Sequence, residues 1–361
     1  MVTILDVIRR SPNRFEYIIN NRKTIFSCVK EIIDSNNYNQ IVFVGSGSSY
    51  STAVSTSLFV EKASGLETFV MFPNLFIEKS SYNKNALYVF VSQSGTSSMT
   101  HVCAKKLTEL GYTTIALCGS GKQDSPIATT CKHYIEIGLG VEEYSYATLG
   151  FSCTMLTEML LGLEIGLTNS NLTENAYNEY INELIKVITT NANNIDKTIA
   201  WFEKHKDKLI KTENFILYGG KSLFGIGNEG ALKIMEITKK YVSVGYEMDD
   251  GMHGPNYCLD ERTTVFALND GKDDKNAHNI MRLIKNEYKT GYMIGVNTMD
   301  EDDLPLDVET TNFTNLEIIV FVQVLAYLLA VENKVDIFQR DDPRINTTKG
   351  KGYFNMHEAK K

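Results

Sequence analysis

The sequence predicts an α/β protein made of two copies of one parallel-sheet unit. Three observations carry this expectation. Short apolar runs alternate with helix-length amphipathic stretches, the pattern of strands joined by crossover helices. The strand, glycine turn and helix start at residues 43–49 recur at residues 217–223, 174 positions on, and the turn after Val91 recurs after Leu268, 177 positions on. The length of 361 residues fits about two domains at the usual ~150 residues each.

In the first copy, the apolar run at residues 40–44 ends at Gly45-Ser46-Gly47, and a helix is expected over residues 49–63. Strands follow at 67–72, 86–91, 113–118 and 134–137, and a helix at 148–166 closes the unit. In the second copy, a strand at 214–218 runs into Gly219-Gly220 and a helix over 223–240. Strands at 263–268 and 292–296 enclose a helix at 275–287, and an apolar helix at 316–332 ends the unit. Residues 168–174 are polar and turn-rich and read as a linker. Two helices, 175–189 and 195–211, bridge to the second copy, the latter carrying the lone Trp201 as a packing residue. The expected division is an N-terminal segment 1–30, a first domain 31–168, a helical linker 169–212, a second domain 213–335 and a C-terminal arm 336–361.

Composition removes several functions. The charge of −8, from 36 Lys+Arg against 44 Asp+Glu, is wrong for a polyanion-binding face, so no nucleic-acid partner is expected. The longest apolar run, residues 316–331, contains Glu317 and Gln323 and falls short of the ~20 residues of a membrane span. It reads as a buried helix, and no membrane partner is expected. The chain opens without a basic stretch followed by an apolar one, so no signal peptide is expected. The six cysteines are scattered, with no Cys-x-x-Cys, and read mostly as buried thiols of a reducing, cytoplasmic compartment. No His-x-x-x-His or Cys cluster suggests a metal, and no cofactor is expected.

Two loops stand out at expected strand C-termini: Gly45-Ser46-Gly47-Ser48-Ser49-Tyr50 and Ser92-Gln93-Ser94-Gly95-Thr96-Ser97-Ser98. Ligands of open α/β sheets bind at such ends, where helix N-termini offer unpaired N–H groups to a phosphate. Ser and Gly are also ordinary turn formers and caps, but two such loops in one unit favour a phosphate pocket. The corresponding loops of the second copy, Gly219-Gly220-Lys221 and Asn269-Asp270-Gly271, lack these hydroxyls, so one pocket per chain is expected.

The second copy carries its own signal. On a helix from Gly227 onward, Glu229, Lys233, Glu236 and Lys240 fall in one narrow stripe, with apolar residues over most of the remaining circumference. Such a helix is buried, and its charges face a cavity, a partner or an ion-pair row. Glu229 and Lys233 also fit a simple i,i+4 pair, and Glu236 fits either a paired carboxylate or a base held in a pocket. His253 lies in the Asp249-Asp250-Gly251-Met252-His253-Gly254-Pro255 turn, positioned rather than packed, and taken alone it also reads as an ordinary surface histidine.

Together these residues resemble the sugar isomerase (SIS) domain proteins, in particular the double-SIS isomerase half of glucosamine-6-phosphate synthase. Stand-alone relatives of that half are fructosamine-6-phosphate deglycases and SIS-type glucosamine-6-phosphate deaminases. The resemblance rests on residues 47–50, 92–95, Glu229 to Lys233 with Glu236, and His253-Gly254-Pro255, in that order along the chain. It implies two tandem SIS domains, each a flavodoxin-like parallel-sheet α/β/α sandwich without a nucleotide. It also implies a sugar phosphate held by Ser49, Ser92, Gln93, Ser94 and Ser97, with Ser48 and Lys233 beside them. Glu236 would be the base between C1 and C2, and His253 the ring-opening residue, reaching into the neighbouring subunit's site of a homodimer or larger assembly. Lys351, or Lys349, would be the lysine of the C-terminal arm.

This chain departs from the synthase in two ways. It lacks a glutaminase half, and it has Thr148-Leu149 where the synthase has Thr-Lys. Glu142-Glu143 nearby looks like the deglycases. The expected activity is therefore amine release from an amino-sugar or fructosamine 6-phosphate with C1/C2 isomerisation. A plain aldose–ketose phosphosugar isomerase and a non-catalytic sugar-phosphate sensor are the alternatives.

Overall fold

The computed structural model describes residues 2–337. Three helices, α1 (Ile4–Ile8), α2 (Ser11–Ile25) and α3 (Val29–Asp34), lead into a first sheet. Its strands are β1 (Gln40–Val44), β2 (Glu67–Met71), β3 (Ala86–Ser92), β4 (Thr113–Cys118) and β5 (His133–Glu136). Helices α4 (Ser48–Ser64), α5 (Pro73–Ile77), α6 (Ser98–Glu109) and α7 (Pro126–Thr130) connect them, and α8 (Leu149–Thr168) follows. After α9 (Glu174–Leu209) comes the second sheet, of β6 (Asn214–Gly219), β7 (Val242–Glu247), β8 (Thr263–Asn269), β9 (Gly291–Gly295) and β10 (Leu304–Pro305). Helices α10 (Leu223–Thr238), α11 (Asp274–Glu287) and α12 (Thr314–Glu332) complete it.

Both sheets are wholly parallel and share one order. The first runs β2-β1-β3-β4-β5 and the second β7-β6-β8-β9-β10. Central strands β3, β8 and β9 are buried at every residue, as expected where helices cover both faces, whereas edge strands β2 and β7 are partly open. Each sheet reverses its order between its first and third strands. The loops after β1 and β3, and after β6 and β8, therefore flank a crevice.

Two expectations need correction. The bridge is one 36-residue helix, about 54 Å long, not two. The Asn191–Asn194 stretch that reads as a break instead spends its amides on neighbours: Asn191 Nδ2 donates to the Leu316 carbonyl, and Asn194 Nδ2 to the Asp307 and Glu317 carbonyls. The helix after β6 also stops at Thr238, with Lys239 left-handed at φ 54°, so Lys240 leaves the charged stripe and bonds Asn333 instead.

The largest apolar cluster takes residues from both halves, including α4, α8, α9, α10 and α12 and the inner faces of both sheets. Smaller clusters cover the outer face of each sheet. Helices α8 and α12 are long and apolar enough to cross a membrane, but 94% and 83% of their apolar windows are buried inside the protein. Trp201 packs on Phe266, Tyr292 and Phe321.

The crossing of α4 and α10 joins the two lobes. At Gly225 of α10, an added Cβ would lie 2.2 Å from Ser55 Oγ and 2.3 Å from the Ser51 carbonyl of α4. Only glycine lets the two helices approach this closely. The crossing also brings the start of α4 beside the middle of α10.

Candidate active site

The β1 run delivers the chain to Gly47, which takes φ 57° as the residue before α4, and Ser48 opens the helix. Ser48 lies 181 positions before Glu229, yet its Oγ donates to Glu229 Oε1 at 3.0 Å and accepts from Lys233 Nζ at 3.1 Å. Lys233 Nζ also lies 3.0 Å from Glu229 and forms an ion pair with Glu236. Glu229, Lys233 and Glu236 thus form a carboxylate–ammonium–carboxylate row along α10, tied at its inner end to the first lobe.

Exposure separates the members of this row. The Glu229 and Lys233 side chains are 0% and 1% exposed, whereas Glu236 is 32% exposed, so Glu236 is the carboxylate that opens outward. Burial raises the Glu229 carboxyl to about 7 against the opposing pull of Lys233. Burial also disfavours the Lys233 ammonium, but the two flanking carboxylates outweigh it and hold Lys233 above its usual value. The second Glu229 oxygen, Oε2, is buried without a hydrogen-bond partner among the described residues.

The loop after β3 supplies the other wall. Ser92 Oγ lies 3.0 Å from Ser97 Oγ, and Ser94 Oγ lies 2.9 Å from Thr96 Oγ1 and accepts from the Thr96 N–H. Strands β1 and β3 pair directly, with Val44 opposite Phe90, so the loops carrying Ser48, Ser49, Ser92, Gln93, Ser94 and Ser97 leave adjacent strands at the same end. Gln93 reaches Glu142, which in turn caps α8.

Behind α4 sits a second buried carboxyl. Glu158 of α8 meets Thr52 Oγ1 at 3.0 Å and Thr56 Oγ1 at 2.8 Å, and burial pushes it to about 8. Both threonine hydroxyls also reach carbonyls of α4, so a protonated Glu158 can donate to one of them while that hydroxyl bonds the helix. Between its ordinary value of 4.5 and about 8, the folded state holds a proton that the unfolded state has released. Raising the pH through this window therefore lowers stability. In wild type, this group alone contributes a slope of up to about 1.4 kcal/mol per pH unit. We expect Glu158→Gln to remove that contribution in denaturant titrations from pH 5 to 8; an identical pH slope in the variant would contradict a buried acid here.

The remaining expected residues are placed differently. His253 is 76% exposed, and its Nε2 lies 3.9 Å from Asp249 Oδ2; no contact joins it to the α10 row among the described residues. Lys351 and Lys349 lie outside the described residues. All six cysteines are free thiols; Cys103, Cys118 and Cys153 are buried, Cys28 and Cys131 half-buried, and Cys258 exposed. Among the described residues, no group of three or more His, Cys, Asp or Glu side chains could hold a metal ion.

Sequence reasoning passed over Glu158 and the role of Glu142. A lone carboxylate inside the apolar stretch 149–163 is a usable signal for the first. Glu142 lies six positions before its helix cap, outside the capping-box spacing, and carries no such signal.

The fold and this crevice define a class: two flavodoxin-ordered parallel sheets with hydroxyl loops from one lobe meeting a charged row from the other. Residues 36–159 match the SIS domain family, the two-sheet fold matches tandem SIS domains, and the chain is similar to the isomerase portion of glucosamine-6-phosphate synthase. It is 24% identical over 339 residues to a glutamine–fructose-6-phosphate aminotransferase (isomerizing) of Sulfolobus acidocaldarius, covering 93% of this chain and 54% of that protein. The chain thus spans about half the length of the curated relatives it matches. Among solved structures, a Clostridium difficile 630 chain provisionally assigned as a phosphosugar isomerase is 26% identical, with a TM-score of 0.88 over 97% of this chain and 99% of that one. The glucosamine-6-phosphate deaminase of Thermotoga maritima matches in fold at 20% identity, with a TM-score of 0.71 over 91% of this chain and 97% of that one.

Proposed function

We propose that this chain acts on an amino-sugar or fructosamine 6-phosphate, moving a proton between C1 and C2 and releasing the amine. The observation that carries the reading is the Glu229–Lys233–Glu236 row meeting Ser48 at the start of α4. It sets a half-open carboxylate beside a loop suited to a phosphate.

The chemistry follows from these roles. Once the ring is open, Glu236 takes the C–H proton next to the carbonyl or imine carbon and leaves an enaminol. Return of that proton to the neighbouring carbon gives an imine. One water then adds to the imine, the C–N bond breaks, and the amine leaves with a proton. Atoms balance with water alone, and no electrons are exchanged with the protein. Lys233, held charged between two carboxylates, stabilises the oxygen that becomes negative as the C–H bond breaks. Ser49, Ser92, Ser94 and Ser97 hold the phosphate, with Gln93 in the same loop, and His253 and Lys351 take the ring-opening and arm roles in a homodimer with shared sites.

Amine release is favoured over plain isomerisation by Leu149, which stands where the synthase has lysine, and by the Glu142-Glu143 pair that resembles the deglycases. The free thiols fit a cytoplasmic setting. Incubation with a fructosamine 6-phosphate and with glucosamine 6-phosphate, following free amine, ammonia and C2 deuterium exchange, tests the reading. Amine or ammonia should appear. Exchange without release would make the protein an aldose–ketose isomerase, and binding without exchange would make it a sensor.

A further inference from the structure

The loop after β3 does not stand alone. Glu142 Oε1 accepts from the Thr148 N–H at 2.8 Å, the Leu149 N–H at 2.9 Å and Thr148 Oγ1 at 3.1 Å. Its Oε2 accepts from the Gly150 N–H at 3.1 Å and from Gln93 Nε2 at 2.5 Å. One carboxylate therefore satisfies the open end of α8 and grips the side chain at the centre of the Ser-rich loop. Burial raises the Glu142 carboxyl above its ordinary value, and the five donors around it oppose that rise by favouring the anionic form. A Cβ on Gly150 would lie 2.3 Å from three side-chain atoms of Gln93, so the glycine clears the space in which Gln93 lies.

The carboxylate is itself anchored. Arg10 bonds both oxygens of the adjacent Glu143 at 2.8 Å and the Val141 carbonyl at 3.2 Å, and Arg14 Nε bonds the Gly138 carbonyl at 3.0 Å. The N-terminal helices thus pin the segment from Gly138 to Glu143, which holds Gln93. The Gly119 N–H fixes Gln93 from the other side by bonding its carbonyl.

We propose that Glu142 is a positioning residue that shapes the 92–98 loop, and that the Gln93 side chain is a strut within that loop rather than a ligand of the phosphate. The proposal deepens the function above and rests on it for its ligand, but not for its geometry. With Nε2 turned to Glu142, Gln93 is oriented by a protein carboxylate before any ligand arrives. The loop hydroxyls and backbone N–H groups are then left to meet the phosphate.

Three proteins test this: Glu142→Ala, Gln93→Ala and the exchanged pair Gln93→Glu/Glu142→Gln. In ligand-free protein, hydrogen–deuterium exchange should show residues 92–98 losing protection in both alanine variants. Residues beyond the first turn of α8 should stay protected. Inorganic phosphate inhibition and KM should weaken about tenfold or more in Glu142→Ala, with kcat within about threefold. In the exchanged pair, donor and acceptor change places across the 93–142 contact while the Gly150 N–H loses its acceptor, so loop protection and phosphate affinity should recover above both alanine variants.

If the Gln93 side chain held the phosphate itself, the exchanged pair would set a carboxylate against it and bind worse than either alanine variant. That result, or unchanged loop exchange in both alanine variants, overturns the proposal. Should Glu142→Ala not fold, Gln93→Ala gives the same readout with the α8 cap intact. Wild-type protein that binds no sugar phosphate, but whose loop still depends on Glu142, sinks the functional reading alone.

Discussion

Glu236→Gln should lower turnover by about 10²–10⁴-fold while leaving sugar-phosphate binding within about threefold of wild type. The amide keeps the size of the side chain and an oxygen for Lys233, but it cannot accept a carbon-bound proton. Glu236 is also the only member of the α10 row with appreciable exposure, so its replacement buries no new charge. Steady-state kinetics with calorimetric binding of fructose 6-phosphate would separate the two effects. A variant with unchanged rate removes Glu236 as the base, and one that loses binding equally makes it a ligand instead.

Lys233→Met should cause the largest loss of stability, about 3–5 kcal/mol at pH 8. The methionine fills much the same volume but leaves Glu229, fully buried, without its countercharge and with one oxygen already unpartnered. Part of this loss should disappear at low pH. Without Lys233, the folded-state Glu229 pKa rises further above its ordinary value, so stability falls as pH climbs through that window and recovers as it drops. Adding Glu229→Gln should restore most of the stability, because it leaves a neutral pair. Urea unfolding of the single and double variants at pH 6 and 8 measures this. Equal stability of Lys233→Met and wild type at pH 8 would show that the row carries no buried charge.

Periodicity made the strands legible, because a fully buried parallel strand such as Val42-Phe43-Val44 or Val89-Phe90-Val91 leaves an unbroken apolar run. The charged stripe of α10 was readable for the same reason. Local pattern failed where tertiary bonds decide. The asparagines of α9 look like a turn until their amides find Leu316, Asp307 and Glu317 across the interface. Lys240 shares the helical angle of Glu236, yet a left-handed Lys239 turns the chain away first. The contact of Ser48 with Glu229 and Lys233, and that of Glu142 with Gln93, join residues far apart in sequence. No spacing rule encodes such contacts. The motif resemblance named Ser48 and Lys233 among the substrate-binding residues, but their direct hydrogen bond became visible only in three dimensions.

The crossing at Gly225 has a consequence for how the molecule comes apart. The largest apolar cluster draws on both sheets, so each copy closes by itself only the smaller cluster on its outer face. A cut at the linker would leave the apolar flanks of α4 and α10 facing water, which favours aggregation over an independent half. The two repeats have therefore merged their thermodynamic fates. Loss of either lobe would dismantle the other, and the protein should melt as a single cooperative body rather than as two domains joined by a helix.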